Sequence, residues 1–446
     1  MDPNPNMNPN PAVHRLPHDI LHDLFVFSTE DAANSGVHYF SVDLSHVCSS
    51  WRLSALATPT IWTSLYTSTP SSAQENLRSA AYLARSQGML VDVRVGVEAL
   101  PSIHAPEFAL LALHAHRIRK LLFVCADPAP FPTLLGCLAA EMPELEAFFM
   151  LVYPGKAAEF TVRLAPSQGG GPSRAVGPFR LPALADTGVR WSIWGTTNIT
   201  HLKMNGLAHA ARPSMESLWH ILRGCKSTLE TFEFQGWAPL WDDATSVLAP
   251  VVLPLLSALE LFFLDDLAPL AVLIHAPDLQ RLTLSNGRRC QNPYLLEEDE
   301  DEDEAECDVP RLLEHFSACG SALRQLFLYA LPPCPRSTID AFFASLPSLD
   351  SLMLFETDTV FQDALFQPEC RFRVPRDAVF PVLSHLAITD TAPSDLTRFL
   401  LRHKTLPVPP LLSVYMSAGQ YRAAYEPDRS TLALCWTWAS PRMGCG

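Results

Sequence analysis

The chain has 446 residues, 48% of them apolar and 18% charged, enough hydrophobic material for a solenoid or two domains and too much for a disordered chain. The net charge is −15, of which residues 297–308 supply −10; −15 − (−10) leaves −5 elsewhere, with none of the basic bias that nucleic-acid binding requires. The eleven cysteines form no CxxC pair, no apolar run approaches the roughly 18 residues of a membrane span, and the start (MDPNPNMNPNP) lacks the regions of a signal peptide, so a soluble protein of the cytoplasm or nucleus with reduced thiols is expected.

Residues 1–13, built on repeated Asn and Pro, read as a disordered tail. A first helix is predicted from Leu16-Pro17-His18-Asp19: proline at the first helical position leaves no amide unpaired, and Asp19 suits the helix dipole. Ile20, Leu21, Leu24 and Phe25 then make one apolar stripe. The polar stretch 28–38 reads as a loop. Ser41 reads as the N-cap of a second helix carrying Leu44, Val47, Cys48, Trp51 and Ala55, which ends before Pro59. A third short helix, capped at Thr58-Pro59, carries Ile61, Trp62 and Leu65. On pattern alone this is a small helical unit, near the lower size limit for independent stability, or a helical cap on the rest of the chain.

From residue 90 one pattern recurs, apolar-x-x-apolar-x-apolar. It starts at Leu90, Ile118, Leu145, Ile199, Leu229, Leu259, Leu279, Leu323, Leu349 and Leu383, in steps of 28, 27, 54, 30, 30, 20, 44, 26 and 34. The step of 54 is twice 27 and places a degenerate or displaced repeat there, beside a Gly/Pro/Ser-rich loop at 165–178. The step of 44 contains the acidic run, read as an insertion at 295–309. Helical segments precede many of these strands, at 106–117, 132–142, 214–224, 310–317, 337–345 and 395–403. A helix and a short strand in each period implies units that bury their apolar faces only by stacking, with a parallel sheet on one side and helices behind it. A non-repeating α/β sandwich is the alternative. The array is expected to span 67–406, and 407–446 to cap it or fold back.

The string Leu16-Pro17-x-x-Ile20-Leu21, then Leu44-Ser45-x-Val47-Cys48-x-x-Trp51-Arg52, then Ala57-Thr58-Pro59-x-x-Trp62 resembles the F-box-like domains abundant in fungal proteins, over residues 14–66. Asp19 stands where that family usually has glutamate, and the loop after the first helix is longer than in short F-boxes. The later pattern resembles the irregular leucine-rich repeats that often follow F-boxes, without a regular asparagine ladder. The resemblance implies a three-helix F-box-like domain followed by an irregular leucine-rich-repeat α/β solenoid, or horseshoe. It further implies that Leu16, Pro17, Ile20, Leu21, Val47, Cys48 and Trp51 lie at or behind the contact with a Skp-type adaptor of a cullin ubiquitin ligase. The protein would then be a non-catalytic subunit recruiting an unidentified protein substrate; a repeat scaffold without a ligase role is the rival.

Along each predicted strand the residue between the last two apolar positions points out from the sheet: Arg94, Leu122, Phe149, Lys203, Glu233, Phe263, Thr283, Phe327, Met353 and Ala387. Leu122, Phe149, Phe263, Phe327 and Met353 are apolar where polar residues are expected, so they are the candidate partner-binding face. The alternative is that the C-terminal segment or the Gly/Pro loop covers it. The acidic run reads as a solvated insertion, or as a contact for a basic partner. His18 and His22 lack a third ligand for a metal, Gly169-Gly170-Gly171 lacks the Lys-Ser/Thr of a phosphate loop, and no HExxH, GxSxG or strand-associated GxGxxG occurs. No cofactor, nucleic acid or membrane partner is expected.

Overall fold

The protein is described by a computed structural model over residues 16–35, 37–69, 72–97, 106–125, 142, 144–152, 158–164, 199–207, 213–236, 238–240, 248–263, 266–286, 308–366, 382–389 and 413–416. It is a mixed α/β chain with parallel sheet, divided into two units, 1–199 and 200–446. The predicted tail 1–13, the loop 165–178, the helix 395–403, and nearly all of 132–142, 295–309 and 407–446 lie outside the described residues.

The first unit opens with α1 (His18–Asn34), which runs through much of the stretch read as a loop. Its polar residues do not break it: Thr29 Oγ1 donates back to the carbonyls of Phe25 and Val26 at 2.8 and 2.9 Å, and so needs no non-helical partner. The predicted second helix is instead two, α2 (Phe40–His46) and α3 (Ser49–Leu56). Cys48 separates them in extended backbone, and its Sγ caps α3 by accepting the Trp51 amide at 3.4 Å. Ser41 is not a cap; it lies buried inside α2, bonded to the Tyr82 hydroxyl at 2.8 Å. The predicted third helix is a 3-10 turn, Pro59–Trp62. Leu65 belongs to β1 (Ser64–Thr69), a strand not anticipated from the sequence.

Next come α4 (Ala73–Arg85), β2 (Val91–Val97), α5 (Pro106–Leu113), β3 (Ile118–Cys125), β4 (Ala147–Val152) and β5 (Ala158–Leu164). Strands β1 to β4 are parallel and pair in chain order, whereas β5 returns antiparallel to β4. Among the described residues the long step holds this one reversed strand. Trp62 joins α3 to α4. It is fully buried, its Nε1 donates to the Ala55 carbonyl at 2.8 Å, its ring meets Tyr82 edge-on at 5.0 Å, and the Arg85 guanidinium lies 4.5 Å from it. A second tie is the buried Arg117, which donates to the Leu83 carbonyl and, at 2.9 Å, to Ser86 Oγ at the end of α4, and at 3.4 Å to the Met89 carbonyl.

The second unit runs β6 (Ile199–Leu207), α6 (Met215–Gly224), β7 (Thr231–Gly236), β8 (Val251–Val252), β9 (Ala258–Phe263), α7 (Ala268–Val272), β10 (Ile274–His275), β11 (Arg281–Asn286), α8 (Val309–Ser317), β12 (Gln325–Tyr329), α9 (Arg336–Ala344), β13 (Ser351–Phe355), α10 (Thr359–Phe366), β14 (His385–Ile388) and β15 (Ser413–Met416). Strands β6, β7, β9, β11, β12, β13, β14 and β15 are all parallel and pair in that order; β8 and β10 form a separate parallel pair. Parallel neighbours need a crossover between them, which from β6 to β14 the helices and the β8 and β10 segments supply. Alternate strand residues are buried, as at Leu326 and Leu328, and the helices bury matching stripes, Leu312, Leu313 and Phe316 on α8 and Ile339, Phe342 and Phe343 on α9.

Caps fix the helix starts. Ser214 Oγ accepts the Ser217 amide at 3.1 Å, and Asp308, the last residue of the acidic run, accepts the Arg311 amide at 3.1 Å. Asp308→Ala is expected to destabilise the second unit by about 1 kcal/mol, read as a lower urea midpoint in far-ultraviolet circular dichroism. An unchanged midpoint would mean the cap contributes nothing to α8.

Candidate functional site

The sheet register sets out the predicted outward residues as rungs. In the first unit Tyr66, Arg94, Leu122 and Phe149 lie side by side on successive strands. In the second the rung is Lys203, Glu233, Glu260, Thr283, Phe327, Met353 and Ala387. Leu122, Phe149, Phe327 and Met353 therefore occupy the predicted positions, each half-buried. Ala387 is on the rung but buried.

Phe263 is not on the rung. It pairs with Asn286, three residues beyond Glu260, which occupies the outward position instead. Two frames of the repeat overlap here, and the sheet uses the one beginning at Leu256, with Leu256, Leu259 and Leu261 all buried. The steps on either side then become 256 − 229 = 27 and 279 − 256 = 23, in place of 30 and 20. The sequence signal was available: only this frame makes the neighbouring steps similar.

Part of the first rung is covered by the chain itself. The connection from α1 to α2 lays His38 flat on Tyr66, with ring centres 4.0 Å apart and planes 6° apart. A cavity of about 60 Å³ remains beneath, lined by Thr29, His38, Tyr39, Ser41, Tyr66 and Arg94 among others. Burial, and then the Arg94 charge, hold the His38 imidazole below its ordinary pKa.

The second rung is polar at one end and apolar at the other. Lys203 Nζ lies 3.2 Å from Glu233 Oε1, whereas Arg281 Nε donates to Gln325 Oε1 at 2.8 Å. Glu260 is half-buried beside Glu233. Burial and then that neighbouring carboxylate raise its pKa, against the opposing pull of Arg281 and Lys203. Beyond Thr283 come Phe327 and Met353, and two residues along their strands Tyr329 and Phe355 approach with ring centres 6.0 Å apart.

The helical residues singled out from the sequence separate into two groups. Leu21 is buried with Phe25 and Ala32 on the inner stripe of α1, and Trp51 is half-buried, edge-on to Phe25 at 5.0 Å. Leu16, Pro17, Ile20 and Val47 are exposed, Ile20 by 48% and Val47 by 57%. The single stripe expected from the sequence is thus two stripes. Ile20, Leu24 and Phe27 form the outer one, with Phe27 72% exposed. Cys48 is half-buried as the cap of α3. Phe27 falls outside the sequence pattern because it comes after the apolar run, although its i, i+4, i+7 spacing from Ile20 places it on that face.

Burial pushes the Cys225 and Cys334 thiols up to about 12 and about 11, which keeps them protonated and poorly nucleophilic. Among the described residues no group of three or more His, Cys, Asp or Glu is placed to hold a metal, and no helix is long and apolar enough to cross a membrane. Comparison with protein-family models gives no match, and comparison with curated proteins gives none either.

Proposed function

We propose that this chain is a substrate-recruiting F-box subunit of a Skp–cullin–F-box ubiquitin ligase, with a leucine-rich-repeat body holding the protein target. The observation that carries the proposal is the outer stripe of α1, Ile20, Leu24 and Phe27, together with Val47 at the α2–α3 connection. These large apolar side chains are exposed although the same helices bury Leu21, Phe25, Ala32, Leu44 and Ala55. Apolar exposure of this kind suits a protein contact, and Leu16, Pro17, Ile20 and Val47 are where the resemblance puts an adaptor. The chain itself makes or breaks no bond in this role; holding the target near the conjugating enzyme raises the effective concentration of the reacting groups.

A second reading, a repeat scaffold with a helical cap and no ligase role, is favoured by Trp62, which packs the helices against α4 within one unit. Capture of a purified Skp-type adaptor by the immobilised full chain separates the two. The ligase reading expects capture, and a loss of about tenfold or more in affinity for the Ile20→Asp, Val47→Asp double variant. Because both residues are exposed, the variant's unfolding midpoint should move little, by about 0.5 kcal/mol per site or less. A folded wild-type chain that captures no adaptor would leave the scaffold.

A further inference from the structure

The rung of the second unit carries a carboxylate, Glu260, that makes no direct hydrogen bond or ion pair among the described residues. Glu260 lies between Glu233 on one neighbouring strand and Thr283 on the other. The nearby cations act on it only through space, since their direct contacts go elsewhere: Lys203 pairs with Glu233 and Arg281 donates to Gln325. Two carboxylates opposite one another on adjacent strands repel, and half-burial deprives Glu260 of part of the water that would offset this. The raised pKa of Glu260 has the same two causes. One strand past Thr283 begins the apolar end of the rung, Phe327 and Met353, also half-buried on the outward side.

We infer that this rung is the docking site for an extended segment of the target protein that carries an arginine about three residues from a bulky apolar side chain. The inference rests on the reading that the outward sheet face of the second unit holds a protein target, and it specifies the chemistry of that target. The spacing comes from the sheet. Neighbouring strands lie about 4.8 Å apart, so the two steps from Glu260 to Phe327 measure about 10 Å, close to three residues of extended chain at about 3.3 Å each. Arginine suits the polar end because its planar fork of donors matches both oxygens of the Glu260 carboxylate, where an ammonium acts as a point charge. The apolar partner covers Phe327 and Met353 and excludes water from the new ion pair, which strengthens it.

The test pans a random-peptide library displayed on phage against the immobilised full chain. Enriched sequences are then made as labelled peptides for fluorescence polarisation. Arginine should recur about three positions from Phe, Leu or Met, and replacing that arginine by glutamine should weaken binding about tenfold. Glu260→Gln should lose a similar factor for the parent peptide and nothing further for the glutamine peptide, because the two changes remove one contact. Enriched peptides without a basic residue, or undiminished binding to Glu260→Gln, would overturn the assignment of arginine. Phe327→Glu tells the two levels apart. If it abolishes binding while Glu260→Gln does not, the face stands and the arginine falls; if it leaves binding intact, the docking face itself is wrong. No enrichment over a blank support would overturn the inference, while adaptor capture would still report separately on the ligase assignment.

Discussion

Trp62→Ala is expected to lower stability by about 3–5 kcal/mol, the range for deleting a fully buried aromatic. Three connections fail together: the hydrogen bond from Nε1 to the Ala55 carbonyl, the edge contact with Tyr82 and the stacking of Arg85. The first ties the 3-10 turn to α3, and the other two tie it to α4. Loss should therefore spread from the helices into β1 and β2, and urea unfolding by circular dichroism should show a much lower midpoint. Trp51→Ala is the control. Trp51 is half-buried, so its loss is expected to cost about 1–2 kcal/mol. If Trp51→Ala proved the more damaging, the joint between α3 and α4 would not run through Trp62.

Arg117→Leu is expected to cost about 2–4 kcal/mol, although it replaces a buried charge with an apolar group. Hydrogen bonds from a charged group contribute about 1.5–3 kcal/mol, and here the acceptors left behind are the Leu83 and Met89 carbonyls and the Ser86 hydroxyl. Leucine supplies no donor for Leu83, Ser86 or Met89. Arg117→Lys should recover only part of the loss, since a single ammonium cannot span the same acceptors. Equal midpoints for the leucine variant and the wild type would mean these acceptors find other donors.

The strands were legible because their signal is redundant. Each rung needs buried residues two apart in the strand and one more at the preceding turn, and Leu323, Leu326 and Leu328 meet that need without ambiguity. Where everything nearby is apolar the redundancy vanishes. From Leu259 through Leu264 only residue 260 is polar, and the pattern fits two frames three residues apart. Neighbouring strands decide between them, and that information is not local.

The helical start was less legible for two reasons. Polar residues are compatible with a helix whose outer face meets water, so the loop expected after Phe27 is instead a continuation of α1 as far as Asn34. A cysteine inside an apolar run gives no warning that it will cap a helix, as Cys48 does. Of the two tryptophans, Trp51 sits in the more familiar string, yet it is Trp62 that is fully enclosed.

Strands β11 and β12 pair residue for residue, Arg281 with Gln325 through Ser285 with Tyr329, although 44 positions separate the partners. Between β12 and β13 the same pairing spans 26. Lengthening a connection adds only a logarithmic closure entropy, about 0.6 kcal/mol per doubling, so sheet geometry is almost indifferent to what joins the two strands. The stretch between Asn286 and Asp308 is consequently the place where this architecture can acquire or shed sequence between lineages, or accept a reporter tag, without a change in the strand ladder on either side.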